Sequence, residues 1–146
     1  REQDWGLITY PFHDAFHHYY MELCKLYATE KSLHEGEYNP ECFEWLEVHA
    51  DQFSTYVYAR KGGGEVVITA LNLSDQIWKD FTFGIWEGAE LTELLNSDWE
   101  CYGGHTKPDD DNCRTYAEAF NGKPARAVVD LAPFSARIFK VKFSKE

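Results

Sequence analysis

The sequence predicts an all-β fold, an antiparallel β-sandwich preceded by one N-terminal α-helix. Near the N-terminus, apolar residues recur at spacings of three and four, which indicates an amphipathic helix. From residue 43 onward the apolar period changes to two, and about seven short strands follow at intervals of roughly 8–12 residues. The length of 146 residues excludes a complete (β/α)₈ barrel, which needs about 250 residues.

The helix is expected over residues 11–29. Pro11 suits the first helical turn, where its missing N–H costs no hydrogen bond. The apolar stripe consists of Phe12, Phe16, Tyr20, Leu23 and Tyr27. An amphipathic helix must bury such a stripe. The sequence offers this helix no helical partner, so the stripe either packs on the sandwich or belongs to a domain outside this chain.

The strands are predicted at 43–48, 55–61, 66–71, 81–85, 90–95, 126–131 and 137–143. Residues 66–71 are apolar on both faces, which predicts a central strand that is covered on both sides. Residues 62–64 are three glycines, which supply the positive φ angles of a hairpin turn. The stretch 97–123 is rich in glycine and aspartate and is expected to be irregular.

Charge and targeting signals limit the partners. The formal net charge of −11 argues against a nucleic-acid or anionic-membrane surface, because both require clustered cations. No apolar run approaches the roughly 18–20 residues that span a bilayer, and the first residues lack a signal-peptide pattern. The four cysteines lack C-x₂-C spacing, which favours reduced thiols in a cytoplasmic protein, with two disulfides as the alternative.

No metal, cofactor or catalytic residue is predicted. His13 and His17 have the i, i+4 spacing of zinc ligands, but no further ligand completes a known site, so they are interpreted as surface or capping histidines. Residues 109–112 are acidic but do not fit a calcium loop, and a solvated loop is expected. The sequence contains no nucleophile motif, and its carboxylate pairs have no evident reason to face each other across a cleft.

The aromatic residues are the remaining candidates for a binding site. The chain has 5 Trp, 9 Tyr and 10 Phe, and aromatic faces stack on the flat C–H faces of sugar rings. Most are expected in the core, whereas Trp45, Trp99 and Tyr102 are expected to face solvent. Glu44, next to Trp45, would bind sugar hydroxyls.

Several short runs in the chain together resemble one enzyme family. They are Asp4-Trp5-Gly6-Leu7, Tyr10-Pro11-Phe12-His13, residues 38–46, Asn96-Ser97-Asp98, Tyr102-Gly103-Gly104 and residues 131–136. In this order and spacing the chain resembles the C-terminal end of 1,4-alpha-glucan (glycogen) branching enzymes of the alpha-amylase superfamily. It departs from that pattern at Cys42, where the family usually has glycine.

The resemblance implies that the parent protein transfers an α-1,4 glucan chain to a 6-hydroxyl and so forms an α-1,6 branch in glycogen. The family's catalytic Asp, Glu and second Asp lie upstream on a barrel, and no position here matches them. Residues 1–36 would be the end of that barrel with its last helix, and residues 37–146 the C-terminal β-sandwich domain.

The expected partners are therefore α-glucan, bound at Trp45, Glu44, Trp99 and Tyr102, and the missing barrel of the same protein. The chain alone is expected to be inactive. The alternatives are a free-standing carbohydrate-binding module without catalysis, and an interaction domain without affinity for sugar.

Overall fold

One long helix precedes the strands, with the bounds that the sequence predicts. In this computed structural model, which describes residues 4–108, 110 and 113–144, a 3-10 turn (Trp5–Thr9) leads into helix α1 (Pro11–Thr29). Pro11 occupies the first helical turn, so the predicted helix is confirmed. A single-turn helix, α2 (Lys31–His34), follows at once. No helix in the described part of the chain is both long enough and apolar enough to cross a membrane.

Among the described residues, eight strands form two antiparallel sheets. They are β1 (Phe43–Glu47), β2 (Thr55–Gly62), β3 (Glu65–Asn72), β4 (Trp78–Ile85), β5 (Ala89–Asn96), β6 (Cys113–Tyr116), β7 (Ala125–Leu131) and β8 (Ser135–Phe143). The larger sheet has the order β1-β2-β3-β8-β5, and the smaller sheet has the order β4-β7-β6. Every pairing is antiparallel. The predicted all-β sandwich with an N-terminal helix is confirmed.

Strand β6 is a correction, because it lies in the stretch that was expected to be irregular. It is a four-residue edge strand that pairs only with β7 in the described structure, and most of its side chains are exposed. Only Cys113 of this strand is partly buried, against the main core. A strand with one such residue carries no apolar alternation, so the sequence pattern does not indicate it.

The main core lies between the two sheets. The strands contribute alternate residues, as the period of two predicts. The fully buried apolar members are Val57, Ala59, Ile68, Ala70, Phe83, Ile85, Ala127, Val129, Leu131 and Phe139. The β2–β3 hairpin aligns these residues, and its turn uses Gly63 at φ 57° and Gly64 at φ 77°. Few other residues adopt this left-handed conformation, so the predicted glycine turn is confirmed.

A second, smaller core lies between the larger sheet and α1. Val67, Leu95 and Ile138 point away from the smaller sheet and pack against side chains of α1 and α2. Strand β3 is therefore covered on both faces, as its continuous apolar run predicts. The helical side chains in this core are Tyr19, Leu23, Leu26 and Leu33.

The helix thus packs on the sandwich, but only Leu23 of the predicted stripe lies in this core. Phe12 is 81% exposed and Phe16 is 67% exposed, and Tyr20 and Tyr27 are also exposed. At about 100° per residue, Phe12 and Phe16 lie on nearly the same side of the helix as Tyr19 and Leu23, and Phe12, Phe16 and Tyr19 line one groove. Phe12 and Phe16 therefore continue the packed stripe toward the N-terminus of α1, where the side chains are exposed. We call Phe12, Phe16 and Tyr20 the outer helix face.

Polar contacts lock the end of α1 to the sheet. The Lys140 Nζ donates to Glu30 Oε2 at 2.7 Å and lies 3.3 Å from Glu65 Oε1. The Arg60 guanidinium donates to the Leu33 carbonyl at 3.1 Å. The position of the helix is therefore fixed by ionic contacts as well as by apolar packing.

Candidate functional site

Trp45 lies on β1, at the edge of the larger sheet, and its side chain is 50% exposed. Its ring centroid lies 5.1 Å from that of Phe43, 5.9 Å from Tyr58 and 6.4 Å from Tyr56. We call these four residues the aromatic patch. The expectation that Trp45 faces solvent is confirmed, and its neighbours hold the indole in place.

A β-bulge at the end of β1 shapes the surface beside the indole. Trp45 pairs with Tyr58, but the next aligned pair is Glu47 with Val57, so Leu46 is the extra residue. Leu46 is buried in the main core. A bulge bends its strand, and Trp45 forms part of the wall of an open cleft of about 480 Å³ beside this bend.

Glu44 lies next to Trp45 in sequence, but the alternation of a strand turns it to the opposite face. Its carboxylate accepts hydrogen bonds from Lys61 and Lys123. Both ammonium groups lie 5.1 Å from the Trp86 ring centroid. Burial raises the pKa of Glu44, but the two lysines outweigh burial and hold the pKa below its ordinary value. The Glu44 carboxylate therefore forms ion pairs with both Lys61 of β2 and Lys123, which precedes β7.

The expectation that Trp99 and Tyr102 face solvent is wrong. Both are only partly exposed, and they pack against the smaller core under α1. Their rings stack with centroids 6.2 Å apart, and Tyr102 meets Tyr19 of the helix edge-on at 5.3 Å. Burial is the main cause of the raised pKa of both Tyr19 and Tyr102. This aromatic pair therefore helps to hold the helix.

The loop that carries this pair is folded tightly, which explains the error. A Cβ atom on Gly104 would lie 2.0 Å from the Asp98 carbonyl oxygen, so only glycine fits there. Asn96 Oδ1 accepts from the Asp98 N–H at 2.9 Å, and Asp98 Oδ2 accepts from Thr106 Oγ1 at 2.5 Å. Residues 96–98 and 102–104, which carry part of the family resemblance, therefore hold this loop in its compact conformation.

The outer helix face is the part of the predicted stripe that the sandwich leaves exposed. Other exposed apolar residues lie just before it in sequence, namely Trp5, Leu7, Ile8 and Tyr10. Phe12 and Phe16 also line an apolar groove of about 480 Å³ with Leu73 and Phe134, which are exposed as well. Large contiguous apolar surfaces mark interaction sites.

The described residues contain no group of three His, Cys, Asp or Glu side chains that could hold a metal ion. His17 has its ring 5.9 Å from that of His18, and His13 has its ring 6.2 Å from that of Tyr10. Of the acidic run at 109–112, residues 109, 111 and 112 lie outside the described residues.

The two antiparallel sheets and the covering helix define the chain as a β-sandwich domain. Residues 45–142 match the family model described as the alpha amylase C-terminal all-beta domain. The chain belongs to this family.

The curated relatives are longer proteins. The chain is 26% identical to the 1,4-alpha-glucan branching enzyme GlgB of Oceanobacillus iheyensis over 147 residues, which is 99% of this chain and 23% of that protein. It is 28% identical to GlgB of Bacillus caldolyticus over 141 residues, which is 95% of this chain and 21% of that protein. The predicted resemblance to branching enzymes is confirmed, and the chain spans less than a quarter of the length of these relatives.

Among solved structures, trehalulose synthase MutB from Pseudomonas mesoacidophila MX-45 matches with 19% identity and a TM-score of 0.33. The match covers 60% of this chain and 12% of that protein.

Glu44→Gln is expected to lower the free energy of unfolding at pH 7 by about 1 kcal/mol, because it removes the charge between two lysines at a partly exposed site. The folded pKa of Glu44 lies below its ordinary value of 4.5. Its contribution is therefore complete above that pH and is lost as the pH falls through the folded pKa. Urea unfolding of both proteins should show the stability difference shrinking as the pH falls from 7 to about 3.

The matched control is Glu41→Gln, which changes an exposed carboxylate two residues before β1. This variant is expected to unfold like the wild type at every pH. A Glu44→Gln difference that is as large at acid pH as at pH 7 would contradict the proposed ionic contact.

Proposed function

We propose that this chain is the C-terminal part of a 1,4-alpha-glucan branching enzyme of glycogen biosynthesis, located in the cytoplasm. The observation that carries the proposal is the match to GlgB branching enzymes over nearly the whole chain. In the parent enzyme an α-1,4 glucan chain is cleaved and transferred to a 6-hydroxyl. The chain itself supplies no catalytic carboxylate and acts by stabilising the barrel and by contacting glucan.

In this proposal, residues 1–36 are the end of the catalytic barrel with its last helix, and residues 37–146 are the C-terminal sandwich domain. The partial burial of the apolar side chains of α1 supports this division. Tyr19 and Leu23 pack on the sandwich, while the outer helix face is exposed. The relatives are more than four times as long as this chain, which leaves ample length for a barrel of about 250 residues.

Glucan is proposed to bind first at Trp45. An exposed indole held by neighbouring rings offers a rigid face for a sugar ring, and the aromatic patch provides this arrangement. Glu44, Trp99 and Tyr102 stay predictions as glucan contacts. They are the weaker candidates, because two lysines bind Glu44 and the other two pack under α1.

Phe16→Ser tests the docking of the barrel. In the complete parent enzyme it is expected to lower the free energy of unfolding by about 2–4 kcal/mol, because a buried apolar side chain is lost. In the isolated chain the change is expected to stay within about 0.5 kcal/mol, because the residue is exposed. Urea unfolding of both proteins measures the contrast. Tyr38→Ser, at a residue 96% exposed, is the control, and equal effects of Phe16→Ser in both proteins would contradict the docking.

Trp45→Ala tests the glucan contact. The wild-type chain is expected to be retarded in native gels that contain glycogen, and the variant is expected to lose most of this retardation because the stacking face is gone. Trp5→Ala is the matched control, since Trp5 is also an exposed tryptophan, at 64%, and it should leave the retardation unchanged. Equal mobility of the wild type and Trp45→Ala at all glycogen concentrations would contradict the contact.

The isolated chain is expected to have no branching activity. Branching shortens the linear runs of amylose and shifts the absorbance of its iodine complex. Amylose incubated with this chain should keep its spectrum, while a complete branching enzyme in the same assay changes it. A spectral shift produced by the chain would contradict the proposal that the catalytic carboxylates lie elsewhere.

A further inference from the structure

We propose that the cleft beside Trp45 is a pyranose-binding subsite, in which Glu47, Gln52 and Asn121 bind the hydroxyl groups of a sugar that stacks on the indole. The proposal rests on the proposed glucan contact at Trp45. It replaces Glu44 with Glu47, the carboxylate on the other side of Trp45 in the sequence, and with the amides of Gln52 and Asn121, which the sequence pattern does not indicate. We call this site the bulge cleft, lined by Trp45, Glu47, His49, Gln52, Phe53 and Asn121.

The bulge cleft is produced by the way that β1 ends. The bulge at Leu46 brings Glu47 into register with Val57, and the chain then turns through a 3-10 turn (Asp51–Phe53) before β2 begins. Asn121 approaches from the β6–β7 connection of the smaller sheet. The cleft therefore lies where the edge of the larger sheet meets a turn of the smaller sheet.

Two of the polar side chains in the cleft, Glu47 and Asn121, are held in place by hydrogen bonds. Glu47 Oε1 accepts from the backbone N–H of His49 at 2.8 Å, and Glu47 Oε2 accepts from Asn121 Nδ2 at 3.0 Å. A carboxylate has about four acceptor positions, so Glu47 has capacity for sugar hydroxyls, and such bonds to a charged acceptor are strong. The side chains of Gln52 and Asn121 are exposed and supply amide groups that both donate and accept.

Asn121 is held by a tight turn. It has φ 46°, and Gly122 has φ 77°. The flanking residues exchange two backbone hydrogen bonds, from Phe120 N to Lys123 O at 3.0 Å and from Lys123 N to Phe120 O at 2.9 Å. A side chain on a closed hairpin turn loses little freedom on binding, which favours affinity.

The chemistry of the cleft fits a neutral sugar. Its volume of about 480 Å³ lies within the range of about 300–1,000 Å³ for small-molecule sites, which combine apolar walls with a few polar groups. Trp45 and Phe53 supply the apolar walls. Among the described residues that line the cleft, Glu47 is the only carboxylate, and no lysine or arginine is present. A phosphate or carboxylate ligand would therefore be repelled, whereas an uncharged polyhydroxyl ring meets both a stacking face and hydroxyl acceptors.

The test is a titration of the ¹⁵N-labelled chain with maltoheptaose, followed by NMR. The Trp45 indole signal and the side-chain amide signals of Gln52 and Asn121 are expected to shift together. The double variant Gln52→Ala, Asn121→Gly is expected to bind about tenfold more weakly, as the loss of two hydrogen bonds predicts. Glycine keeps the left-handed turn at residue 121, and a dispersed spectrum verifies that the variant folds.

Gln76→Ala is the matched control, because Gln76 is an exposed amide outside the cleft, bonded to Asp75. It should bind maltoheptaose like the wild type. If the Trp45 signal shifts but the double variant keeps wild-type affinity, the subsite is overturned while the Trp45 contact stands. If maltoheptaose shifts no signal in the wild type, both the subsite and the proposed glucan contact are overturned.

Discussion

The burial of the larger sheet on both faces is the constraint on which the rest of the structure depends. Strand β3 carries apolar side chains at successive positions, so Ile68 faces the smaller sheet while Val67 faces α1. Each such side chain contributes about 1.5–3 kcal/mol when it is buried, and neither face can be left in water. The helix is therefore part of the sandwich's own folding unit, even if it is also the end of another domain.

This constraint determines which aromatic residues remain available for binding. Trp99 and Tyr102 fill the space between the 96–106 loop and α1, so they act as packing residues. The aromatic patch at the β1 edge stays partly exposed, with Trp45 half exposed. Helix α1 also carries large apolar side chains, Phe12, Phe16 and Tyr20, that the sandwich leaves exposed. The helix that completes the smaller core thus also presents an exposed apolar surface, which is suited to packing against a second domain.

The sequence predicts those structural features that depend on residues close together in the chain. The bounds of α1, the glycine turn at Gly63 and the double burial of β3 follow from periodicity and local chemistry. The bulge cleft could not be predicted in this way, because Glu47 and Asn121 are 74 positions apart and meet only when the two sheets pack. The solvent exposure predicted for Trp99 is wrong for a related reason. Its place near a turn of the sequence indicates exposure, but the packing of the helix against this loop makes Trp99 part of the smaller core.

An edge strand normally requires protection, because its free N–H and C=O groups can pair with another chain. A bulge is one of the devices that blunt such an edge, and β1 has one at Leu46. The bulge also turns Glu47 toward Asn121 and opens the surface next to Trp45. The irregularity that blunts this edge of the sheet therefore also creates the concave surface that a sugar ring needs. A glucan chain at this edge would cover Trp45 without competing for the outer helix face. Barrel docking and glucan binding can therefore operate together in the proposed parent enzyme.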